Sequence, residues 1–234
     1  MPKIKKATLK KKYLLVGTIT TSKGLRHLSS PISECDLLEV RVDCLRREGM
    51  SGEEILEKLK GRKHPVLLTL RTTVEGGSYG WKSTERILMF EQLLPQADAV
   101  DLEMRNMVFV KPILQMARET GKVVVLSSHS LTRKLTWRKA QRLIEEFRSF
   151  RVDLYKLASL ARTPEDLKLL VQVLIEYPKL RLSIMATGPQ AHVSRSVLTA
   201  LGSRMVYGYM DEPAAPGQPS IKEVITMLQS SGLR

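Results

Sequence analysis

Val152–Ala158 reads VDLYKLA, and the chain runs on through Ser159-Leu160 to Ala161. The stretch has strand length and is almost continuously apolar, as in a parallel sheet whose strands are buried on both faces. One residue is out of place, Lys156. Outward from it, runs of the same kind recur at fairly even intervals: Tyr13–Thr20, Asp36–Val42, Pro65–Leu70, Ala99–Glu103 and Lys122–Ser127 before it, Leu180–Ala186 and Ser203–Tyr209 after it. Segments with helical spacing fill the gaps. They are Ser51–Leu59, the stretch from Ser83 through RILMFEQLL, Val108–Glu119, Trp137–Phe147, Pro164–Tyr177 and Ile221–Leu228, with a short helix expected over Ser194–Leu201. Thr163-Pro164-Glu165-Asp166 has the form of an N-cap, a first-turn proline and acidic residues at the positive end of a helix dipole. About eight strands alternating with helices predict an α/β fold, a single-domain (β/α)8 TIM-type barrel. A doubly wound sheet is the alternative, but neither GxGxxG nor GxxxxGK[ST] occurs.

Composition bounds the function. The chain has 234 residues, 43% of them hydrophobic, which is enough for a packed core and argues against intrinsic disorder. No stretch approaches the roughly 20 apolar residues of a transmembrane helix. The first twelve residues, MPKIKKATLKKK, contain six lysines and no signal-peptide core. They read as a basic, flexible segment, 1–12, ahead of the barrel domain, 13–234. Cys35 and Cys44 form neither a disulfide framework nor zinc spacing. A reducing, cytoplasmic location is expected. The net charge of +14 fits solubility, a nucleic-acid surface or recognition of a small anion. Nothing beyond charge supports nucleic acid: aromatic–basic interleaving and RNP-like strands are missing.

In a barrel, the carboxyl ends of the strands build the active site. Polar residues cluster there. Glu39, Arg41 and Asp43 alternate along the second strand and are expected to point the same way. Arg71 ends the third strand and Glu75 follows. Glu103 ends the fourth, His129 the fifth. Arg195 follows the seventh strand and Gln218 the eighth. Glu39 and Arg41 could form an ion pair filling the barrel, Glu103 reads as structural, and a lone histidine is often a hydrogen-bonded core residue. Lys156 stands apart, because an ammonium inside an apolar strand is costly unless paired or neutralised. A neutral lysine is a Schiff-base nucleophile. Arg41, Arg71 and Arg195 nearby would disfavour its charge, His129 could move protons, and Glu75 could orient that imidazole. Several arginines with a glutamate suit an anionic, hydroxyl-rich substrate.

The set EVRVD (39–43), TLRTTVEGG (69–77), DLE (101–103), SSH (127–129), YKLA (155–158), SR (194–195), GSRMVYG (202–208) and APGQ (215–218) resembles type I 3-dehydroquinate dehydratase of the shikimate pathway. The motifs fall in family order over about Tyr13–Leu228. The resemblance implies a (β/α)8 barrel and a lyase of aromatic amino-acid biosynthesis. It converts 3-dehydroquinate to 3-dehydroshikimate by syn elimination, with no metal or organic cofactor. It implies that Lys156 forms an imine with the substrate ketone and that His129 is the general base and then acid, paired with Glu75. Arg195 is implied to hold the substrate carboxylate, Glu39, Arg41 and Arg71 the ring hydroxyls, and Gln218 to close over the substrate. Tyr207 and Met185 are implied to line the pocket. The chain departs from the family pattern at Ser130-Leu131, where Asp-Phe is usual, and at Ala214, where Ser is common. The segment ATGPQAHVS after Met185 is about two residues longer than usual.

The family forms dimers and also occurs fused ahead of shikimate dehydrogenase, so the sequence leaves a homodimer and a fused parent protein both open. Two rivals are another class I Schiff-base aldolase and an inactive barrel binding nucleic acid or an anion. APGQ with Glu39 and Arg41 argues against the first, and the joint presence of Lys156, His129 and Arg195 against the second.

Overall fold

A computed structural model of the chain describes residues 11–30 and 34–234. The eight expected strands are present: β1 Leu14–Ile19, β2 Leu37–Arg41, β3 Val66–Thr69, β4 Ala99–Glu103, β5 Val123–Lys134, β6 Leu154–Leu160, β7 Leu182–Thr187 and β8 Met205–Tyr209. All ladders are parallel, in the order β7-β6-β5-β4-β3-β2-β1-β8. The two end strands face each other across a seam. There the Arg204 N–H donates to the Leu182 carbonyl at 2.9 Å. Ser183 Oγ donates to the Met205 carbonyl at 3.1 Å, and Ser203 Oγ both accepts from Ile184 N–H (2.9 Å) and donates to its carbonyl (3.0 Å). Serine hydroxyls thus supply bonds that a ladder would otherwise make, and the sheet closes into a (β/α)8 barrel.

The helices are α1 Val42–Arg47, α2 Gly52–Lys60, α3 Ser83–Leu93, α4 Met107–Glu119, α5 Trp137–Ser149, α6 Pro164–Glu176, α7 Ala191–Ala200 and α8 Ile221–Ser230. Local chemistry starts them where the sequence signals. Ser51 with Glu54, Thr163 with Asp166 and Ser220 with Glu223 form reciprocal capping boxes. Only a 3-10 turn, Lys23–Leu28, is described between β1 and β2.

Strand alternation sorts the core into two layers. Leu14, Val16, Leu37, Leu67, Val125, Leu154, Met205 and Tyr207 fill the barrel, while residues such as Leu38, Val40, Leu68, Val100 and Leu157 pack outward against the helices. The apolar filling occupies the lower barrel. Toward the carboxyl ends the inward positions turn polar, with Thr18, Glu39, Thr69, Asp101, Ser127 and Lys156 all buried.

Three expectations need correction. β2 stops at Arg41, so Asp43 lies in the first turn of α1 rather than continuing the strand alternation. β5 runs to Lys134, well past the apolar run that marks it, with a register shift against β6 between Ser130 and Lys134. The short helix before β8 starts at Ala191, three residues early, after a 3-10 turn over Gly188–Gln190 that takes up the longer connection behind Met185. Residues 1–10 of the basic N-terminal segment lie outside the described residues. Lys11 is tied down, with Nζ 2.5 Å from Asp36 Oδ1 and its carbonyl accepting from Arg204 at 2.9 Å. Among the described residues no helix is long and apolar enough to cross a membrane.

Candidate active site

At the carboxyl end of the barrel a cavity of about 570 Å³, open to solvent at its mouth, is lined by Glu39, Arg41, Arg71, Glu75, His129, Lys156, Met185, Arg195, Tyr207 and Gln218. These are all ten candidate residues. They come from six strands or the segments that follow them, and are brought together only by closure of the sheet.

Lys156 is 3% exposed, inside β6. Its Nζ lies 3.1 Å from Asp101 Oδ2 and 3.4 Å from Glu39 Oε1, and 4.1 Å above the Tyr207 ring centroid. Its nearest charged partners are therefore carboxylates, not the arginines expected around it. Of those arginines, Arg71 does stand beside Lys156, sharing Asp101 Oδ2 with it. Arg41 makes a bidentate pair with Asp43 at 2.9 and 2.7 Å, in place of the Glu39–Arg41 pair considered from the sequence. Arg71 Nη2 reaches Asp101 at 3.1 Å, and its Nη1 reaches Ser127 at 2.9 Å and Glu103 at 3.4 Å. Glu103 also pairs with Arg86 at 2.8 Å, which fits its structural reading.

Asp101 is the residue that sequence reasoning missed. Burial would raise its pKa, but Arg71 and then Lys156 overcome this and hold the carboxyl below the usual range. Its carboxylate accepts from Lys156, Arg71 and Ser127 Oγ (2.5 Å) at once. The signal was present: Asp101 sits two positions before Glu103, and a buried lysine needs a buried anion. Thr18 and Thr69 were also overlooked. Their hydroxyls donate to the two Glu39 oxygens at 3.0 and 2.9 Å and fix that carboxylate.

His129 stands one strand away from Lys156. The register pairs Ser127 with Lys156 and His129 with Ala158, which places both side chains on the barrel interior. His129 Nδ1 lies 2.8 Å from Glu75 Oε2, the same oxygen that accepts the His129 backbone N–H at 3.1 Å. With Nδ1–H donating to Glu75, Nε2 is left as the acceptor. Burial, followed by the positive charges of Arg71 and Lys156, holds the imidazole pKa well below 6.5. Burial pushes the Glu75 carboxyl up to about 8 against the pull of Arg71. Glu75 is aimed by the 3-10 turn Thr73–Glu75, which ends at Gly76 with φ +86°. A Cβ at Gly76 would also fall 2.2 Å from Leu131 Cδ1, so glycine is needed both for the turn and for the leucine against it. Leu131 itself lines the cavity, and Ser130 Oγ turns away to the Arg133 carbonyl at 2.7 Å.

A stability effect follows from Glu75. A raised folded pKa contributes stability below the unfolded value of roughly 4.3, and this is lost as pH rises toward the folded value. Glu75→Gln has no such proton to lose. Thermal melts are expected to show its Tm gaining on wild type as pH rises from about 5 to about 8. A constant offset across that range would contradict the assignment.

Arg195 differs from the other cations. Its guanidinium donates to the carbonyls of Tyr207 (3.2 Å), Ala186 (2.9 Å) and Ala191 (3.2 Å) and to Ser194 Oγ (3.1 Å). No carboxylate among the described residues pairs with it, and burial lowers its pKa to about 10. A buried, positioned cation on a cavity wall without a counter-ion is a ready site for an anion. Gln218 Oε1 accepts from Ala214 N–H at 2.7 Å, and its Nε2 donates to Thr18 at 3.4 Å. Met185 is 7% exposed on β7 and Tyr207 3% on β8. The Tyr207 hydroxyl donates down to Met205 Sδ at 3.5 Å, so the cavity meets its ring. Among the described residues no cluster of three or more His, Cys, Asp or Glu is placed to hold a metal ion.

A buried lysine, a histidine bound through Nδ1 and a guanidinium without a carboxylate partner gather at the carboxyl end of the strands, where (β/α)8-barrel enzymes build their active sites. The family follows from comparison with known proteins. The model of type I 3-dehydroquinase matches residues 16–234, and the chain belongs to that family. It is 30% identical over 202 residues to 3-dehydroquinate dehydratase from Hydrogenobaculum sp., spanning 85% of this chain and 90% of that one. It is 29% identical over 212 residues to the enzyme of the same name from Methanospirillum hungatei, spanning 90% and 79%. The crystal structure of 3-dehydroquinate dehydratase from Geobacillus kaustophilus superimposes with a TM-score of 0.84 over 94% of this chain and 92% of that one, at 23% identity.

Proposed function

We propose that the chain dehydrates 3-dehydroquinate to 3-dehydroshikimate through an imine on Lys156. The observation that carries this reading is the single cavity joining Lys156, the His129–Glu75 pair and the unpaired Arg195. The Lys156 ammonium passes one proton to His129, the amine adds to the C3 carbonyl carbon, and that oxygen leaves as water on return of the proton, so a protonated imine remains. The imine draws electrons from C2, so a weak base suffices to remove the adjacent proton. His129 Nε2 takes it, giving an enamine. The C1–O bond then breaks as the enamine electrons return, and His129 delivers its proton to the departing hydroxyl, which leaves as a second water. Hydrolysis of the conjugated imine consumes one water and frees Lys156. The net change is loss of one water.

The surroundings fit these steps. Asp101 and Glu39 hold Nζ in place and face the cation that the imine retains. Glu75 keeps Nδ1 occupied so that Nε2 serves both proton transfers. Arg195 is positioned for the substrate carboxylate, Glu39, Arg41 and Arg71 for its hydroxyls, and Met185 and the Tyr207 ring for its carbon skeleton. Ala214 lines the cavity without a hydroxyl to offer. Arg195→Lys keeps the charge but not the planar fork. It is expected to raise KM by about tenfold or more with a smaller change in kcat, read by steady-state kinetics beside a melt to confirm folding.

Incubation with 3-dehydroquinate, followed by borohydride and peptide mass spectrometry, tests the reading. An ultraviolet-absorbing enone and a reduced adduct on Lys156 are expected. Absence of both would reject the dehydratase and shift weight to an inactive anion-binding barrel. A cytoplasmic setting without nucleic acid or membrane partners completes the proposal.

A further inference from the structure

The segment after β8 leaves the barrel at Met210 and returns beside its own start. Tyr209 N–H donates to the Pro219 carbonyl at 3.0 Å, and Tyr209 bridges to Ser220. A loop whose ends meet in this way can move as one piece about its base. Its inner side, Ala214, Ala215, Pro216 and Gln218, lines the catalytic cavity, while Glu212 and Pro213 are exposed. At its tip the Gly188 N–H donates to the Pro216 carbonyl at 3.2 Å. Gly217 has φ +75°, and a Cβ there would lie 2.8 Å from the Gly188 carbonyl oxygen. The tip therefore meets the turn after β7 through one backbone hydrogen bond and a close glycine–glycine approach.

The base is held much harder. Asp211 accepts from the backbone N–H of Thr20 at 3.1 Å, from that of Thr21 at 2.7 Å and from the Thr21 hydroxyl at 2.6 Å. The Thr20 hydroxyl donates to the next carbonyl, Glu212, at 2.9 Å. Thr20 and Thr21 follow directly on β1, the strand whose Thr18 meets both Gln218 and Glu39. Room for the carboxylate is made by Gly24, where a Cβ would fall 2.3 Å from Asp211 Oδ2. Backbone donors to an ionised acceptor are the stronger class of hydrogen bond.

We propose that Asp211 is a positioning residue, latching the 211–218 loop to the end of β1 so that Gln218 is presented to the cavity before substrate arrives. The proposal rests on the reading that Gln218 closes over the substrate. A loop that is open part of the time lowers apparent affinity by the fraction of molecules in the competent state. Saturating substrate draws the loop shut again. Loss of the latch therefore weakens binding and spares the chemical step.

The test uses Asp211→Asn, with Thr21→Val as a milder variant that removes one hydroxyl. Hydrogen exchange of the 212–218 amides in the free protein reads the latch without substrate. About tenfold faster exchange is expected in Asp211→Asn, and a smaller increase in Thr21→Val. KM for 3-dehydroquinate is expected to rise about tenfold in Asp211→Asn, with kcat within about twofold of wild type. Unchanged exchange in both variants overturns the latch. Faster exchange with unchanged KM overturns its link to Gln218. If wild type does not turn over 3-dehydroquinate, the functional reading fails on its own, and the exchange result still decides whether Asp211 holds the loop.

Discussion

Lys156→Ala is expected to lose the borohydride-trapped adduct altogether and to lower kcat by at least about 10⁴-fold, because covalent catalysis here has no second nucleophile to fall back on. Among the described residues, Lys156 is the one amine lining the cavity. Arg41, Arg71 and Arg195 are guanidinium ions, with Arg41 and Arg71 held in tight carboxylate contacts. The variant also leaves Asp101 and Glu39 buried without the ammonium they share. Buried carboxylates that lose a cation partner destabilise, so a lowered Tm is expected, moderated by Arg71 on Asp101 and by Thr18 and Thr69 on Glu39. Lys156→Met replaces the stem and omits only the charge, and separates lost packing from lost chemistry. Its melt should lie between those of wild type and Lys156→Ala if cavity formation adds to the charge effect. Trapping in Lys156→Ala equal to that in wild type would move the imine to another lysine and remove Lys156 from the mechanism.

The contrast between Asp101 and Lys156 shows what the sequence carries and what it leaves to the fold. A lysine breaks the apolar run VDLYKLA visibly, because lysine is the wrong chemistry for a doubly covered strand. An aspartate in AVDLE is less conspicuous, since Glu103 follows at the strand end and draws the attention. Only the closed sheet shows that Asp101 on β4 meets Lys156 on β6, with β5 between them. Asp43 failed differently. Its spacing from Glu39 and Arg41 has period two, but β2 ends at Arg41, and the pair it makes with Arg41 belongs to the strand-to-helix corner. Eight of the ten candidate residues were legible because barrel active sites lie at strand ends, marked by polar residues in or after apolar runs; Met185 and Tyr207 were implied by the family resemblance alone. Partners of those residues, such as Thr18 for Glu39 or Asp211 for Thr20 and Thr21, are separated by 21 and about 190 residues, and spacing along the chain does not report them. The electrostatic setting was illegible for the same reason. Arginines were expected to crowd Lys156; Arg71 does stand beside it, but across a carboxylate, Asp101, that both cations share.

His129→Ala divides the proposed reaction in two. Lys156 remains, so the imine should form and then stall, since nothing replaces Nε2 as the base. A fall in kcat of about 10² to 10⁴-fold is expected, the usual range for a positioned general acid–base. The trapped adduct should reach at least the wild-type level, though more slowly, because the histidine also assists imine formation. Exchange of the C2 proton with deuterated solvent, followed by mass spectrometry of recovered substrate, isolates the step. Wild type is expected to exchange and the variant not to. The pH profile gives an independent sign. Burial and the neighbouring cations keep His129 neutral well below pH 6.5, so wild-type kcat/KM should hold its plateau through pH 6 and fall only where the imidazole gains its proton. That acid limb should vanish in His129→Ala. An acid limb centred near 6.5 in wild type would show an ordinary, solvated histidine, and persistent C2 exchange in the variant would transfer the base to another group, of which Glu75, with its carboxyl raised to about 8, is the nearest to the same position.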